Sequence, residues 1–262
     1  MILMTGPFRF SRHRIMSVSL LKLSLNEVRF YFTRAAVGVG VPFGLAEDFG
    51  RTVSWLACSG LDPARICAPV LQSLESGQSS LYPKLNQWNG EALLKPPPDK
   101  LLSAIQTGSF ASDWIVPMEQ KSGKNSYLSA ENVDYPFLVA AALGASGCSG
   151  WAISWETSSE DRFLINYEEN RSWDAFWSDR VVPENSGPGR LKITPADIGE
   201  LDRDVWLHRE HRSSEDAAVV LETGVAVHES WPVIYSFFKR CLVPSTDDSH
   251  QAGAGAGLVD SD

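Results

Sequence analysis

WAISWETSSEDRFLINY (Trp151–Tyr167) is the stretch on which the reading of the fold turns. Two short runs rich in Trp, Ile, Phe, Leu and Tyr stand on either side of the polar stretch TSSED, the pattern of two strands joined by a turn. Trp151 and Trp155 are four apart, so on a strand they share one face and fill core. GPGRLKITP (Gly187–Pro195) reads as a third strand, and GVAVHES (Gly224–Ser230) contains a fourth. Strands joined by short turns make an antiparallel sheet.

Toward the N-terminus the periodicity changes. Ser24 and Glu27 fit a capping box, in which each side chain satisfies the other residue's exposed amide. The helix they open runs to about Val37 and stops at GVG. A second helix has Pro42 in its first turn, a favoured site for proline, and ends at Gly60. Within it Leu45, Phe49, Val53 and Leu56 fall on one face. Asp62 and Pro63 cap a third helix, which runs through Leu74 with Gly77 after it.

The middle is less regular. KPPPDK (Lys95–Lys100) is a stiff extended turn, LLSAIQTGSF a short helix and ASDWIVP a strand. SAENVDYPFLVAAALGASG reads as a helix interrupted early by Pro136, with Phe137 to Leu143 buried. The segment after Pro195 is polar and reads as helical, and a last helix spans Trp231 to Cys241 with Ser230 as its cap. Helices, then strands, then a helix give an α+β fold with a mainly antiparallel sheet. The expected organisation is an unstructured extension (1–23) and one domain (24–262). That domain comprises a helical subregion (24–77), a mixed region (78–243) and a Gly-rich C-terminal loop (244–262).

Composition narrows the class. The chain has 262 residues, 44% of them hydrophobic, and nine tryptophans. A chain of this length buries about 70–75% of its unfolded surface, enough for a substantial core. Its net charge is −9 and its pI about 5.1, which argues against nucleic acid as a partner. No stretch reaches the length of a membrane span, and SVSLLKLSLNEV, with Lys22 in its middle, is no signal peptide. Cys58, Cys67, Cys148 and Cys241 form no C-x-x-C pair and read as reduced thiols, so the expected location is the cytoplasm.

No motif fixes a reaction. Gly144, Gly147 and Gly150 follow a helix and precede a strand, the reverse of the order a phosphate loop needs. Cys148 has no His or acid near it in sequence to make it a nucleophile. In HREH, a helix would put Asp204, His208 and His211 on one face beside Glu210, a metal-like geometry. There is no third histidine in place, so a solvated polar face is preferred and no metal is expected. His228 reads as a local hydrogen-bonding residue. Catalytic residues and cofactors stay unknown at this stage, as does the oligomeric state.

The candidate ligand-binding residues lie in the tail. Glycine lets backbone amides approach a ligand without side-chain obstruction. Gly253, Gly255 and Gly257 are bracketed by Ser245, Ser249 and His250 on one side and by Asp260 and Asp262 on the other. The favoured expectation is an enzyme or binder of a small molecule whose pocket this loop lines. The alternative is a non-enzymatic protein-interaction module with a flexible tail that meets its partner through the N-terminal helices.

Two stretches carry a resemblance. SLNEV and RAAVGVGVPFGLAEDFGRTVSWLACSGLD, within Ser24–Asp62, and CLVPSTDDSHQAGAGAGLVDSD (Cys241–Asp262) resemble the two ends of a bacterial family known only as a domain of unknown function. The departures, at Thr246, Asp247, Val259 and Ser261, spare the glycines and the terminal acids. That resemblance implies a shared fold and no activity. More loosely, G-x-P-x-G-L-A (Gly40–Ala46) before an apolar helix is similar to the helical entry of a lactate and malate dehydrogenase-like group that uses nicotinamide cofactors.

Overall fold

The computed structural model describes residues 21–88, 91–120, 127–168, 172–196, 206–227 and 230–242. Strand β1 (Leu21–Leu23) leads into α1 (Leu25–Gly38). The Ser24 hydroxyl accepts from the Glu27 amide and the Glu27 carboxylate from the Ser24 amide, so the expected capping box is present. In α2 (Phe43–Cys58), Phe49, Val53 and Leu56 are buried and Leu45 partly so. Asp62 caps α3 (Pro63–Glu75) by accepting from the Ala64 and Arg65 amides.

Beyond α3 come β2 (Ser79–Ser80), β3 (Lys84–Trp88), β4 (Glu91–Lys95), β5 (Leu101–Leu102), α4 (Ala104–Gln120), β6 (Tyr127–Val133) and α5 (Pro136–Ala145). The expected hairpin is β7 (Trp151–Thr157) with β8 (Arg162–Tyr167), followed by β9 (Trp173–Trp177), β10 (Gly189–Pro195) and β11 (His208–Arg212). Helix α6 (Ser214–Thr223), β12 (Val225–Val227) and α7 (Trp231–Lys239) complete the described chain. The large sheet has the order β11-β9-β8-β7-β10-β6-β4-β3, with β5 beside β6 and β2 beside β5. Its pairings are antiparallel except β4–β6, β5–β6 and β2–β5. The fold is α+β, and β1 pairs separately with β12, so the last three residues of the expected extension are a strand.

Helices α4 and α5 cover one face of the sheet. Trp151, Ile153 and Trp155 of β7, Phe163, Ile165 and Tyr167 of β8, and Leu191 and Ile193 of β10 are buried on that inner face. There Trp114 of α4 meets Trp151, Phe137 of α5 meets Trp173, and the Tyr167 hydroxyl donates to the Ala140 carbonyl. Helix α2 packs on α4 and α5, and α1 bridges α2 to α7. Burial of this apolar surface is the main stabilising term.

Three segments differ from the expectation. Residues 104–120 are one helix, not a short helix and a strand: Gly108 lets α5 approach so closely that an added Cβ would lie 2.7 Å from Ala142 Cβ. Residues 127–133 form a strand, and the helix begins only at Pro136. The reason is a bulge: Glu131 and Asn132 face Arg190 alone, with Asn132 at φ 51, which breaks the alternation a strand would show. The HREH segment is strand β11, and the helix after it starts at Ser214.

Candidate functional site

A cleft of about 350 Å³ opens between α2, α4 and α5. Its floor is apolar, made by Phe49, Ile105, Leu138 and Ala142, and its edge carries Asp48, Arg51, Ser109 and Asp113. The Ser109 hydroxyl donates to Asp48 Oδ2 at 2.7 Å, and Arg51 pairs with Asp48 one turn away on α2. Thr52, also in the lining, donates to the Asp48 carbonyl. The rim therefore offers two carboxylates and one guanidinium whose side chain is 57% exposed. A concave site with apolar walls and a few converging polar groups is the usual form of a small-molecule pocket.

Behind the cleft sits Asp134, in the turn between β6 and α5. It is 1% exposed and accepts from the Ala104 and Tyr135 amides and from the Ser79 hydroxyl, which also meets Ser73. Burial pushes its carboxyl up to about 6, and those hydrogen bonds restrain the rise. Ala104 is the first residue of α4 and lines the cleft, so this carboxyl answers the α4 N-terminus from within.

The candidate residues read from the tail, Ser245, Ser249, His250, Gly253, Gly255, Gly257, Asp260 and Asp262, lie outside the described residues, as do Asp204 and His228. The metal-like face of HREH does not form, because on a strand His208 and His211, three apart, point to opposite sides. His208 stacks on Trp177 with ring centroids 5.3 Å apart. His211 Nδ1 instead lies 3.1 Å from Asp174 Oδ1, and Arg209 donates to both oxygens of the same carboxylate at 3.2 and 3.0 Å. Burial raises Asp174, but the hydrogen bonds and charges of Arg209 and His211 outweigh it and hold the carboxyl below the usual range.

Cys148 is half-buried in the turn between α5 and β7. Burial, and secondarily Cys148, push the Tyr167 hydroxyl well above its ordinary value. Sequence reasoning missed the cleft because Asp48 and Ser109 are 61 positions apart. The one signal within reach was the opposite charges of Asp48 and Arg51, three apart on α2.

No described helix is long and apolar enough to cross a membrane. The sequence profile of a family described as "Protein of unknown function (DUF3726)" matches residues 23–79, the region of α1 to α3. No curated protein sequence matches the chain. Among solved structures, the chain is similar to malate dehydrogenase from Pyrococcus horikoshii OT3, with TM-score 0.55 and 10% identity over 84% of this chain and 95% of that one. It is similar to delta1-piperideine-2-carboxylate reductase from Pseudomonas syringae pvar. tomato, with TM-score 0.55 and 8% identity over 84% and 99%. A dehydrogenase from Sinorhizobium meliloti gives TM-score 0.52 and 10% identity over 84% and 100%. At such identities the likeness is one of fold.

Proposed function

We propose that the chain binds a small zwitterionic molecule with an apolar body, of the amino-acid type, in the cleft between α2, α4 and α5. The observation that carries this is the cleft's lining: opposite charges on the rim above an apolar floor. Arg51 would take a carboxylate, Asp48 and Asp113 a cationic nitrogen, and Phe49, Ile105 and Leu138 the apolar part. The fold relatives support a small-molecule site of this kind, and one is named for a cyclic imino carboxylate.

The dehydrogenase-like group that Gly40–Ala46 resembles uses a nicotinamide cofactor, and the cleft does not fit one. A diphosphate calls for free amides at a helix start or a surplus of cations. In the cleft the Ala104 amide already donates to Asp134, and carboxylates outnumber the single arginine. The reading is therefore one of binding, with no hydride step attached.

Thermal shift and calorimetry with L-leucine, isoamylamine and 4-methylpentanoate test it on the full chain. Leucine should raise the melting temperature while the analogues lacking either charged group should do far less. Ser109→Phe, which fills the mouth of the cleft, should remove the response. Equal responses to all three compounds, or an unchanged response in Ser109→Phe, refute the assignment. Deleting residues 253–262 tests separately the expectation that the Gly-rich tail lines this pocket, and an unchanged leucine response detaches the tail from it.

A further inference from the structure

On the outer face of the sheet, away from the helices, Glu168 beside β8, Asp174 of β9 and His211 of β11 each offer a ligand atom, and these atoms lie within 4.8 Å of one another. The register explains the meeting. Asp174 stands directly opposite Asn166 on one side and His211 on the other, and Glu168 is two residues beyond Asn166 on the same face.

Asn166 supplies an independent sign. It is 4% exposed, yet its Oδ1 has no hydrogen-bond partner. A buried amide oxygen left unbonded is costly and rare in a settled structure. It shares a face with two carboxylates and an imidazole, and a cation is the partner all four have in common.

We infer that Asn166, Glu168, Asp174 and His211 form a binding site for a divalent first-row transition ion, zinc or manganese. One imidazole among oxygen donors suits these ions better than magnesium or calcium, which prefer all-oxygen shells. Arg209 shapes the site. Its guanidinium occupies both oxygens of Asp174 and leaves the cluster with one net negative charge from two carboxylates. Because its side chain is 62% exposed, Arg209 can swing off Asp174 and yield its place to an ion. A bound ion would tie β11, which among the described strands pairs with β9 alone, to two inner strands.

Calorimetric titration of the metal-stripped full chain with zinc, manganese and magnesium ions, each alone, tests the site. The expected result is one high-affinity equivalent of zinc or manganese, with magnesium much weaker. Glu168→Gln and His211→Ala should each weaken binding by about tenfold or more. Glu168 is exposed, so Glu168→Gln keeps the test open should another variant fail to fold. Arg209→Ala should tighten binding, since it removes a competing cation, whereas a plain ion-pair cluster predicts lost stability and no uptake. His208→Ala, on the opposite face of β11, should change nothing. Absence of stoichiometric binding, binding indifferent to Glu168→Gln and His211→Ala, or weaker binding in Arg209→Ala overturns the inference.

Discussion

The two faces of the sheet share their strands but not their manner of construction. On the inner face Trp151, Ile153, Trp155, Phe163 and Ile165 lie under α4 and α5, each at 5% exposure or less. On the outer face the neighbouring strand residues Ala152, Ser154, Glu156 and Arg162 are partly or fully exposed. Among the described residues that face buries polar groups locally, at Asn166 and Asp174. Apolar burial is non-directional, so many inner-face residues contribute similar amounts. The outer cluster depends on particular atoms at particular distances. The inner face should therefore dominate stability and the outer face selectivity.

The largest expected effect tests that division directly. Phe163→Ala removes a ring stacked on Trp155 with centroids 5.0 Å apart and should cost about 3–5 kcal/mol in a urea titration. Phe49→Ala in the helical layer, where Phe49 is 2% exposed, should fall in the same range. The outward neighbour Arg162, whose pair with Glu156 is exposed on both sides, should tolerate alanine within about 0.5 kcal/mol. Comparable losses at Phe163 and Arg162 would erase the distinction between the faces.

Asp134 is the exception on the covered side, and its signature is in pH. Its folded carboxyl is pushed from the ordinary 3.8 up to about 6. Between those values the folded chain holds the proton more tightly than the unfolded one. Stability from this group is thus fully present below about pH 4 and declines as pH rises to about 6, by about 3 kcal/mol in total. Asp134→Asn imitates the protonated acid: its Oδ1 can accept from Ala104 and Tyr135 while Nδ2 donates to Ser79. Subtracting the variant's stability curve from that of the parent should isolate this decline. Parallel curves between pH 4 and 7 would show that Asp134 is not what titrates.

A smaller effect is expected where a helix touches a ring. A Cβ on Gly144 would lie 2.3 Å from Trp55, whose ring packs on Trp173 of the inner face. Gly144→Ala should cost about 1–3 kcal/mol. Trp55→Leu should relieve part of that penalty in the double variant, and strict additivity would mean the two residues do not press on each other.

Legibility from sequence follows the same divide. The α1 to α3 boundaries could be read because caps and glycines are local: Ser24 with Glu27, and Asp62 with Pro63. The β7–β8 hairpin could be read because its partners are separated by one short turn. Strand β6 was hidden because Asn132 in a left-handed bulge interrupts its alternation, and α4 because Gly108 and Pro117 look like breaks. HREH looked helical because spacing cannot tell which element will carry it, and strand geometry then separates His208 from His211. The cleft and the outer cluster arise from pairings such as Asp48 with Ser109 and Asp174 with His211, which only the packed chain brings together.

The smallest effect belongs to the outer face itself. Lys192 of β10 points away from the helices, and its Nζ lies 4.7 Å from the centre of the Tyr127 ring on neighbouring β6. A cation over an aromatic face is attracted by the ring's quadrupole, and at a solvent-facing position this is worth about 0.5–1 kcal/mol. Tyr127 is held in place by its hydroxyl, which donates to Glu91 Oε2 at 2.6 Å. That bond, with lesser effects of burial and of the Glu91 charge, raises the tyrosine's pKa. Lys192→Gln removes the charge with a side chain one atom shorter, so its loss should stay below about 1 kcal/mol and shrink little in high salt. In a cycle with Tyr127→Leu the two changes should be less than additive, because the second has no ring–cation contact left to remove. Full additivity would mean that Lys192 merely overlies the ring, and a loss approaching that of Phe163→Ala would overturn the ranking of the two faces.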